Sequence, residues 1–519
     1  MPETKSPLTV AAIDVGSSAI RMDISELYQD GKVRTLETLS KGVSLGKDAF
    51  TDGKLGEETI QTACQALIDY QKMLKAYGIT KYRAVATSAV REASNSDTFI
   101  DRVFLRSGLE IEVIDGSEEN RLTYMAIHEA VAGLLDLQTI NALVVEVGGG
   151  STDISFLKQG ELLQSGTYPL GSVRLRQDLH GVKGDLKQRI RILERQIKNT
   201  VQGIAATIPF GQAQEVIALG GDIRFAARQI SGEAQSGFWL INKKDFLKFC
   251  SDVIKFDQDE LVRRYSLSYP QAETFVPALL AYKTILERST AERIHVLSAS
   301  IRAGILLDMA RSVSGRELES FDRQIIASAR TLAEKYHSNQ AHIEQVRMLA
   351  LSLFDQLQSE HGLDPRDRLF LEVAAILHNV GYFISSRAHH KHTYYVISSS
   401  EVFGLSRNDL NIIANIARYH RKAVPSASHL TYISLDRESR VLVSKLAAIL
   451  RVADALDQDA SSKVRKLRVF LDEERAEYVL EAEAEGDLVM EALSLERKGD
   501  LFQAIFGKPL VLRQVERIE

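Results

Sequence analysis

The fold is decided by the stretch Leu143–Asp153, which reads LVVEVGGGSTD. Its apolar first half predicts a buried strand, the three glycines predict a turn, and Ile154–Leu157 predicts a returning strand. Glycines let a backbone approach a ligand closely, and successive N–H groups can then point into one anion-binding concavity. A triglycine on its own is equally typical of a plain hairpin turn.

A second copy of this pattern lies near the N-terminus, where Val10–Arg21 reads VAAIDVGSSAIR. Both copies run from a strand through an acidic residue to glycine and small polar residues, and then into two further strands separated by a Gly-containing turn. Self-similarity at this spacing indicates a duplicated domain whose two loops face each other across a cleft. Two opposed Gly-rich loops are suited to holding a phosphate chain.

The composition is that of an ordinary globular protein, with 519 residues, 45% hydrophobic and 26% charged, and a net charge of −5. This charge gives no general attraction to polyanions, so nucleic-acid binding is not expected and any phosphate recognition must be local. Cys64 and Cys250 are too far apart in sequence to indicate a disulfide framework or a metal knuckle. Since no apolar run of about 18 residues and no signal segment occurs, we expect a cytoplasmic protein without a membrane anchor.

The order of the predicted elements divides the chain into four domains. Residues 1–132 begin with three strands and continue with alternating helices and strands, and residues 133–312 repeat that order, which predicts two α/β domains. The helix at 301–313 is expected to complete the first of them. Residues 318–457 show only helical periodicity, and residues 458–519 predict a small α+β domain. Its strands are predicted at Leu467–Leu471, Tyr478–Leu480, Leu488–Met490 and Leu510–Val515.

Glu118 and Glu119 stand where a predicted strand ends and a helix begins. Acids at this position complement the helix dipole, with Ser117 as the N-cap, and this structural role is as well supported by the stretch as a catalytic one. The catalytic role is that of a general base, which orients water for attack on a phosphoanhydride. Because consecutive helix residues point about 100° apart, only one of the pair can face a cleft.

Three further acids, Asp14, Glu146 and Asp153, lie beside the Gly-rich turns. Magnesium prefers hard oxygen ligands and often takes one or two carboxylates, with phosphate and water completing its shell. These acids therefore predict a Mg²⁺ site, although Asp is equally common as a turn residue. Arg21 and Arg91 have the fork geometry that binds phosphate oxygens, but a lone arginine is more often a surface charge.

On these motifs the chain resembles the exopolyphosphatase and guanosine pentaphosphate phosphohydrolase family (Ppx/GppA), in its long, four-domain form. The resemblance covers nearly the whole chain. Its motifs are Asp14–Ser18 (DVGSS), Ala86–Ala93 (ATSAVREA), Gly116–Leu122 (GSEENRL), Gly148–Thr152 (GGGST) and Tyr419–Lys422 (YHRK).

The resemblance implies an α/β fold of two duplicated actin-like (ribonuclease H-like) domains, followed by an all-α HD-like domain and a small α+β domain. It also implies a homodimer that uses magnesium to remove terminal phosphate from inorganic polyphosphate, or the 5′-γ-phosphate from guanosine pentaphosphate. The family's general base falls on Glu119, and its metal-associated acids fall on Asp14, Glu146 and Asp153. Together, the residues and the resemblance predict a phosphate site of Gly16, Ser17, Ser18, Arg21, Arg91, Gly148, Gly149, Gly150, Ser151 and Thr152.

The chain departs from the family pattern in both loops. The family has Asp where Glu146 stands and Glu where Asp153 stands, so each carboxylate moves by about one C–C bond, a shift that matters where geometry is demanding. The first loop, Ser17–Ala19, lacks the amide and a hydroxyl of the usual Ser-Asn-Ser or Ser-Asn-Thr. These departures motivate an alternative, a polyphosphate- or guanosine tetraphosphate-binding regulator with weakened catalysis. An ATP-dependent kinase of the same superfold is disfavoured, because it leaves the Glu pair and the basic helical region unexplained.

The helical region contains His342, the pair His378-Asn379 and Asp454 in the order of a metal-dependent HD phosphohydrolase. That chemistry uses His-Asp where this chain has His378-Asn379, so we expect a degraded metal site, and a structural role for His342 is at least as well supported. Closely placed cations raise the local concentration of a polyanion, although a solvated basic face is the default interpretation. A second polyanion-binding track is predicted at His378, His390, His392, His420, Arg421 and Lys422.

Overall fold

The structure, a computed structural model, describes residues 7–179, 184–234, 237–314 and 319–518. It divides into two compact units, Met1–Leu318 and Glu319–Glu519. In this part of the chain, no helix has both the length and the apolar character needed to cross a membrane.

The first unit contains two sheets of related topology. The five-stranded sheet has the order β3-β2-β1-β4-β5, with β1 antiparallel to β2 and parallel to β4. Its central strand β1 is apolar and buried on both faces, whereas β3 is mostly exposed at the edge. Its strands are β1 (Leu8–Val15), β2 (Ala19–Leu27), β3 (Val33–Gly42), β4 (Tyr82–Ala86) and β5 (Glu112–Val113).

The six-stranded sheet repeats this arrangement and adds one strand at an edge. Its order is β10-β11-β9-β6-β7-β8, so β8, β7, β6, β9 and β11 occupy the places of β3, β2, β1, β4 and β5. The additional strand β10 pairs with β11 antiparallel. The strands are β6 (Asn141–Val147), β7 (Thr152–Lys158), β8 (Glu161–Tyr168), β9 (Glu215–Leu219), β10 (Phe238–Asn242) and β11 (Arg293–Leu297).

Helices cover these sheets with their apolar faces. The last of them, α12, places Ile305, Leu306 and Met309 against Val10 and Ala12 of β1, so it packs on the first sheet although it follows the second in sequence. The helices are α1 (Leu45–Asp52), α2 (Glu57–Ala76), α3 (Ser88–Glu92), α4 (Ser96–Ser107), α5 (Gly116–Val131), α6 (Ser172–Asp178), α7 (Leu186–Ile204), α8 (Gly221–Ser231), α9 (Lys243–Val253), α10 (Gln258–Tyr265), α11 (Tyr269–Arg288) and α12 (Ile301–Ser314).

The second unit begins with helices and ends with a small three-stranded sheet. Its sheet has the order β12-β13-β14, with β12 antiparallel and β14 parallel to β13. The helix α20 is buried along most of its length. The elements are α13 (Glu319–Lys335), α14 (Gln340–Gln356), α15 (Gln358–His361), α16 (Pro365–Leu377), α17 (His389–Ser398), α18 (Arg407–Arg418), α19 (Leu430–Ile433), α20 (Arg437–Ala455), β12 (Val464–Asp472), β13 (Glu477–Ala484), α21 (Val489–Lys498), α22 (Asp500–Phe506) and β14 (Leu510–Val515).

One sequence prediction in this unit is wrong. The predicted strand at Leu488–Met490 is the start of α21, which buries Glu491, Ser494 and Leu495 on one face. Two apolar residues at a spacing of two fit a strand, but the following residues continue the helical period.

Candidate active site

Two glycine turns of the first unit have the same local structure. In the β1–β2 turn, the N–H of Gly16 donates to the carbonyl of Ala19 at 3.1 Å, and in the β6–β7 turn the N–H of Gly148 donates to the carbonyl of Ser151 at 2.9 Å. The antiparallel register places Glu146 directly opposite Asp153. The duplicated strand–turn–strand pattern therefore folds in the same way in both halves.

The two turns approach each other closely. A Cβ built on Gly149 would lie 3.1 Å from the Cβ of Ser17, and one built on Gly150 would overlap the Oγ of Ser88. In addition, the Ser17 and Ser88 hydroxyls lie 3.2 Å apart. The second turn therefore needs glycine because the first turn and the start of α3 leave no room for a side chain.

A cavity of about 810 Å³ opens beside the turns. Asp14, Ser17 and Ser18 line it from the first turn, and Glu146, Gly148 and Gly149 from the second turn and its strand. Six basic residues give the lining a local positive charge that the net charge of the chain conceals. They are Arg21, Lys47, Arg176, Arg224, Arg228 and Arg302.

Several predicted phosphate-binding groups are occupied by protein contacts. The Thr152 hydroxyl donates to the carbonyl of Leu170 at 2.9 Å, and Ser151 is buried. Arg91 donates to the carbonyl of Ile114 at 2.6 Å and lies 3.4 Å from Glu119. Thr152 therefore supports the second turn, and Arg91 supports Glu119. The groups that remain for binding a phosphate are the backbone N–H groups of the turns and the arginines of the cavity.

The two adjacent glutamates at the start of α5 have different surroundings. Glu118 pairs with Arg121 at 2.6 Å and with Arg83 at 2.9 Å, and these contacts outweigh burial and lower its pKa. The N-cap is Asp115, which accepts from the N–H of Glu118, so the prediction of Ser117 as the N-cap is wrong. Glu118 therefore has a structural role.

Glu119 lies among other carboxylates. Its side chain is only 17% exposed, and burial raises its pKa to about 7, with Arg91 opposing the shift and Glu146 and Asp14 adding to it. A carboxylate that titrates near neutrality is suited to accepting a proton from water. Glu119 does not itself line the cavity, but it is close enough to Asp14 and Glu146, which do, for their charges to raise its pKa.

The three predicted metal-associated acids also have raised pKa values, in each case chiefly because of burial. Asp153 accepts from the hydroxyl of Thr167 at 2.6 Å, and Glu146 accepts from that of Thr123 at 3.3 Å. Within the described residues, one group of three His, Cys, Asp or Glu ligand atoms lies mutually within 4.8 Å, and it does not include these acids. They form no preassembled cage, but their crowded hard oxygens fit a Mg²⁺ ion that takes its remaining ligands from phosphate and water.

Sequence reasoning did not predict three charged residues of the cavity. Burial raises the pKa of Asp222 to about 7, with Arg224 opposing the shift. Arg302 donates to Asp23 at 2.8 Å and lies 3.6 Å from Asp14. A signal was present in the third Gly-containing strand end, Gly220-Gly221-Asp222, which resembles the turns after β1 and β6.

The predicted polyanion track of the second unit does not form one exposed face. His378, His390 and His420 are buried, His392 and Arg421 are partly buried, and Lys422 is exposed. The buried histidines instead contact one another and other histidines of the unit.

Comparisons with known proteins identify the family. The sequence pattern of the Ppx/GppA phosphatase family matches residues 27–313, and that of Ppx/GppA phosphatase domain III matches residues 325–497. The guanosine-5′-triphosphate,3′-diphosphate pyrophosphatase of Photobacterium profundum is 22% identical over 86% of this chain and 87% of its own length. Its Vibrio parahaemolyticus counterpart is 24% identical over 86% and 87%.

Solved structures share the fold of the duplicated sheets. An exopolyphosphatase from Cytophaga hutchinsonii is 22% identical with a TM-score of 0.54, covering 59% of this chain and 98% of that chain. The Ppx/GppA family member of Aquifex aeolicus is 23% identical with a TM-score of 0.50, covering 59% and 98%. The expected fold of two duplicated α/β domains is thereby confirmed, and because the first sequence pattern spans more than half of the residues, this chain belongs to the Ppx/GppA phosphatase family.

Proposed function

We propose that this phosphatase hydrolyses a terminal phosphoanhydride bond and releases orthophosphate from guanosine pentaphosphate or inorganic polyphosphate. The observation that carries the proposal is the placement of Glu119, whose pKa burial raises to about 7, near Asp14 and Glu146, the acids that precede the two glycine turns. Phosphoryl transfer needs positioning and charge stabilisation together with a group that orients water.

Each part of the site has one task in this proposal. The backbone N–H groups of the two turns hold consecutive phosphoryl groups, and the cavity arginines contact their outer oxygens. Asp14 and Glu146 would hold a Mg²⁺ ion, whose positive charge would offset the charge that develops on the leaving oxygen. Glu119 accepts a hydrogen bond from the attacking water, and Arg91 holds its carboxylate at 3.4 Å.

The exchanged acids favour an enzyme over a regulator that only binds. The family has Asp and Glu where this chain has Glu146 and Asp153, and the register places the two residues opposite each other. The side chain at position 146 is one methylene longer than in the family, and the side chain at position 153 is one methylene shorter. The summed length of the two paired side chains is therefore unchanged. The exchange is therefore reciprocal, which supports a retained site.

The cavity also bears on the choice of substrate. Phe225 and Pro270 line the same cavity as the turns. An apolar wall gives a purine base a surface to pack on, whereas inorganic polyphosphate has no such group. Among the relatives, the curated names refer to the guanosine compound and one of the solved structures is called an exopolyphosphatase.

Phosphate release measured side by side on guanosine pentaphosphate and long-chain polyphosphate, with and without Mg²⁺, tests the proposal. We expect Mg²⁺-dependent release that Glu119→Gln removes while the fold is retained. Tight binding of both substrates without turnover at saturating Mg²⁺ would contradict hydrolysis and support the regulator. Full turnover by Glu119→Gln would remove the assigned base.

A further inference from the structure

Four histidines of the second unit face one another in two pairs. The Nε2 atoms of His342 and His378 lie 3.2 Å apart, and those of His389 and His420 lie 3.1 Å apart. The rings of His378 and His420 are also neighbours, with centroids 5.2 Å apart. The two pairs therefore form one cluster.

The other nitrogen of each ring in the first pair is engaged by an oxygen that can only accept. His342 Nδ1 lies 2.7 Å from the Asp457 carboxylate, and His378 Nδ1 lies 2.7 Å from the carbonyl of Ala375. Each Nδ1 therefore carries the proton, and in a neutral imidazole Nε2 is left with a lone pair. Two lone pairs directed at each other across 3.2 Å repel unless a proton or a metal ion lies between them.

A carboxylate completes this group. Asp454 Oδ1 lies 3.6 Å from the Nε2 atoms of both His342 and His378, and the three ligand atoms are mutually within 4.8 Å. Its other oxygen, Oδ2, is paired with the ammonium of Lys498 at 2.5 Å. Oδ1 is thus directed toward the imidazoles by a contact on the opposite side of the carboxylate.

Helix geometry assembles these ligands on rigid elements. His342 lies in the first turn of α14, His378 caps the C-terminus of α16, and Asp454 lies near the end of α20. Asp457 follows Asp454 by three residues, just beyond the C-terminal end of α20, and its carboxylate accepts from His342 Nδ1 at 2.7 Å.

The cluster is buried but not closed. His342, His378 and Asp454 are 7%, 0% and 7% exposed, and a cavity of about 380 Å³ reaches His342 and Asp454. Asn379 lines the same cavity, and its buried Oδ1 has no hydrogen-bond partner among the described residues. Space and a neutral oxygen are therefore available beside the three ligand atoms.

We propose that the second unit binds a divalent transition-metal ion through His342 Nε2, His378 Nε2 and Asp454 Oδ1, and that Zn²⁺ is the best match. Imidazole ligands favour zinc or iron over magnesium, and two histidines and a carboxylate with an open position are a known ligand set for such ions. Metal-bound histidines almost always donate their second nitrogen to a carboxylate or a carbonyl, as both do here. The expectation of a degraded site rested on Asn379, which leaves these three ligands in place.

The cavity that reaches the proposed ligands also carries cations. Arg421 and Lys498 line the cavity next to the proposed ion. This lining suits an anionic oxygen ligand such as inorganic phosphate. The proposal is independent of the hydrolysis assigned to the first unit, because no residue of that unit takes part.

Zn²⁺ binding to the untagged full-length protein tests the proposal by calorimetry after treatment with a chelator. Saturating Mg²⁺ is present so that it occupies the carboxylates of the first unit. We expect one Zn²⁺ per chain, and Co²⁺ at the same site should give visible absorption bands that report nitrogen–oxygen coordination. His378→Ala should remove both signals.

Two further variants keep the test decisive. Asp457→Asn retains all three ligands but weakens the orientation of His342, so we expect about 10- to 100-fold weaker Zn²⁺ binding. His361→Gln is the matched control, because His361 is also buried in this unit but bonds to the carbonyl of Phe354, outside the cluster.

Two results would overturn the proposal. If the folded wild-type protein binds no Zn²⁺, the two imidazoles share a proton instead of a metal ion. If Zn²⁺ binds equally well to wild type, Asp457→Asn and His361→Gln, the ion lies elsewhere. Circular dichroism of each variant separates loss of the site from loss of the fold, and Asp454→Asn replaces His378→Ala if the latter does not fold.

Discussion

The carboxylate cluster of the first unit and the histidine cluster of the second both bury titratable side chains, but they balance charge in different ways. In the carboxylate cluster (Asp14, Glu119, Glu146 and Asp153), burial raises the pKa of every member, and the neighbouring acids add to the shift. In the histidine cluster (His342, His378, His389, His420, Asp454 and Asp457), acids lie beside imidazoles, and Lys498 lies 2.5 Å from Asp454.

In the carboxylate cluster, the charge would be balanced only when ligands bind. In the histidine cluster, contacts within the fold already balance much of it. Like charges held together destabilise the folded protein until a cation and a phosphate arrive, so their charge is available for binding and chemistry. Acids placed against imidazoles already stabilise each other, and their hydrogen bonds fix which atoms remain free to bind an ion. The following experiments test whether the two clusters differ in this way.

The largest effect is expected from Glu119→Gln. If Glu119 is the group that orients water, phosphate release should fall about 10²- to 10⁴-fold, while substrate binding is retained. Single-turnover phosphate release measures the loss, and equilibrium binding of guanosine pentaphosphate measures what remains.

Glu118→Gln is the control for this change, because the residue is adjacent but pairs with Arg83 and Arg121. It should lower the melting temperature and have little effect on turnover. If Glu118→Gln abolished turnover and Glu119→Gln did not, the roles assigned to the two residues would have to be exchanged.

Asp457→Ala should destabilise the histidine cluster. Asp457 is 1% exposed and accepts from both His342 and the N–H of Ser462, so its loss leaves the buried His342 donor without a partner and removes a second, more exposed hydrogen bond. The cost should be about 1–3 kcal/mol. Hydrogen exchange measured on peptides from α14 and α20 reports this locally, and unchanged protection there would contradict an internally balanced cluster.

The pH dependence of turnover should follow the carboxylate cluster. The pKa of Glu119 is about 7, and a base acts only when it is deprotonated. The value of kcat/KM should therefore fall about tenfold for each pH unit below 7 and level off above it. A profile that is flat between pH 5 and pH 8 would show that the base titrates elsewhere.

The sequence predicts those features of the fold that depend on local pattern. The strand Leu510–Val515 has the predicted bounds, and the returning strand predicted at Ile154–Leu157 lies within β7, because each is a short run bounded by turn residues. The short helix α1 and the edge strand β10 were not predicted, since neither has a strong period of its own. Position in the sequence alone did not identify the N-cap of α5. Ser117 directly precedes Glu118, but the side chain of Asp115 accepts the capping hydrogen bond.

The sequence predicts less of the site than of the fold. The acids that flank the turns carry a local signal, whereas Arg302 reaches Asp14 only because α12 packs on the first sheet. Likewise, the order of His342, His378 and Asp454 indicates a metal-binding pattern, but which ring nitrogens face one another depends on acceptors such as the carbonyl of Ala375. No sequence pattern encodes that geometry.

The smallest effect is expected from Asp222→Ala. It should increase the free energy of unfolding, whereas Asp457→Ala should decrease it. Burial raises the pKa of Asp222 in the folded state from its ordinary value of 3.8 to about 7. Asp222 therefore costs the folded protein no electrostatic stability below about pH 4, and the cost of its ionisation accumulates as the pH rises from 4 through 7.

Without Mg²⁺ at pH 8, Asp222→Ala should consequently increase the free energy of unfolding by about 0.5–2 kcal/mol, and near pH 4 it should change nothing. Trp239, the single tryptophan, is 6% exposed in β10 of the first unit, so its fluorescence during urea unfolding reports that unit. A loss of stability at pH 8 would mean that Arg224 already neutralises Asp222. In that case the first unit would balance this charge internally, as the second does, and the contrast between the two clusters would not extend beyond the four acids themselves.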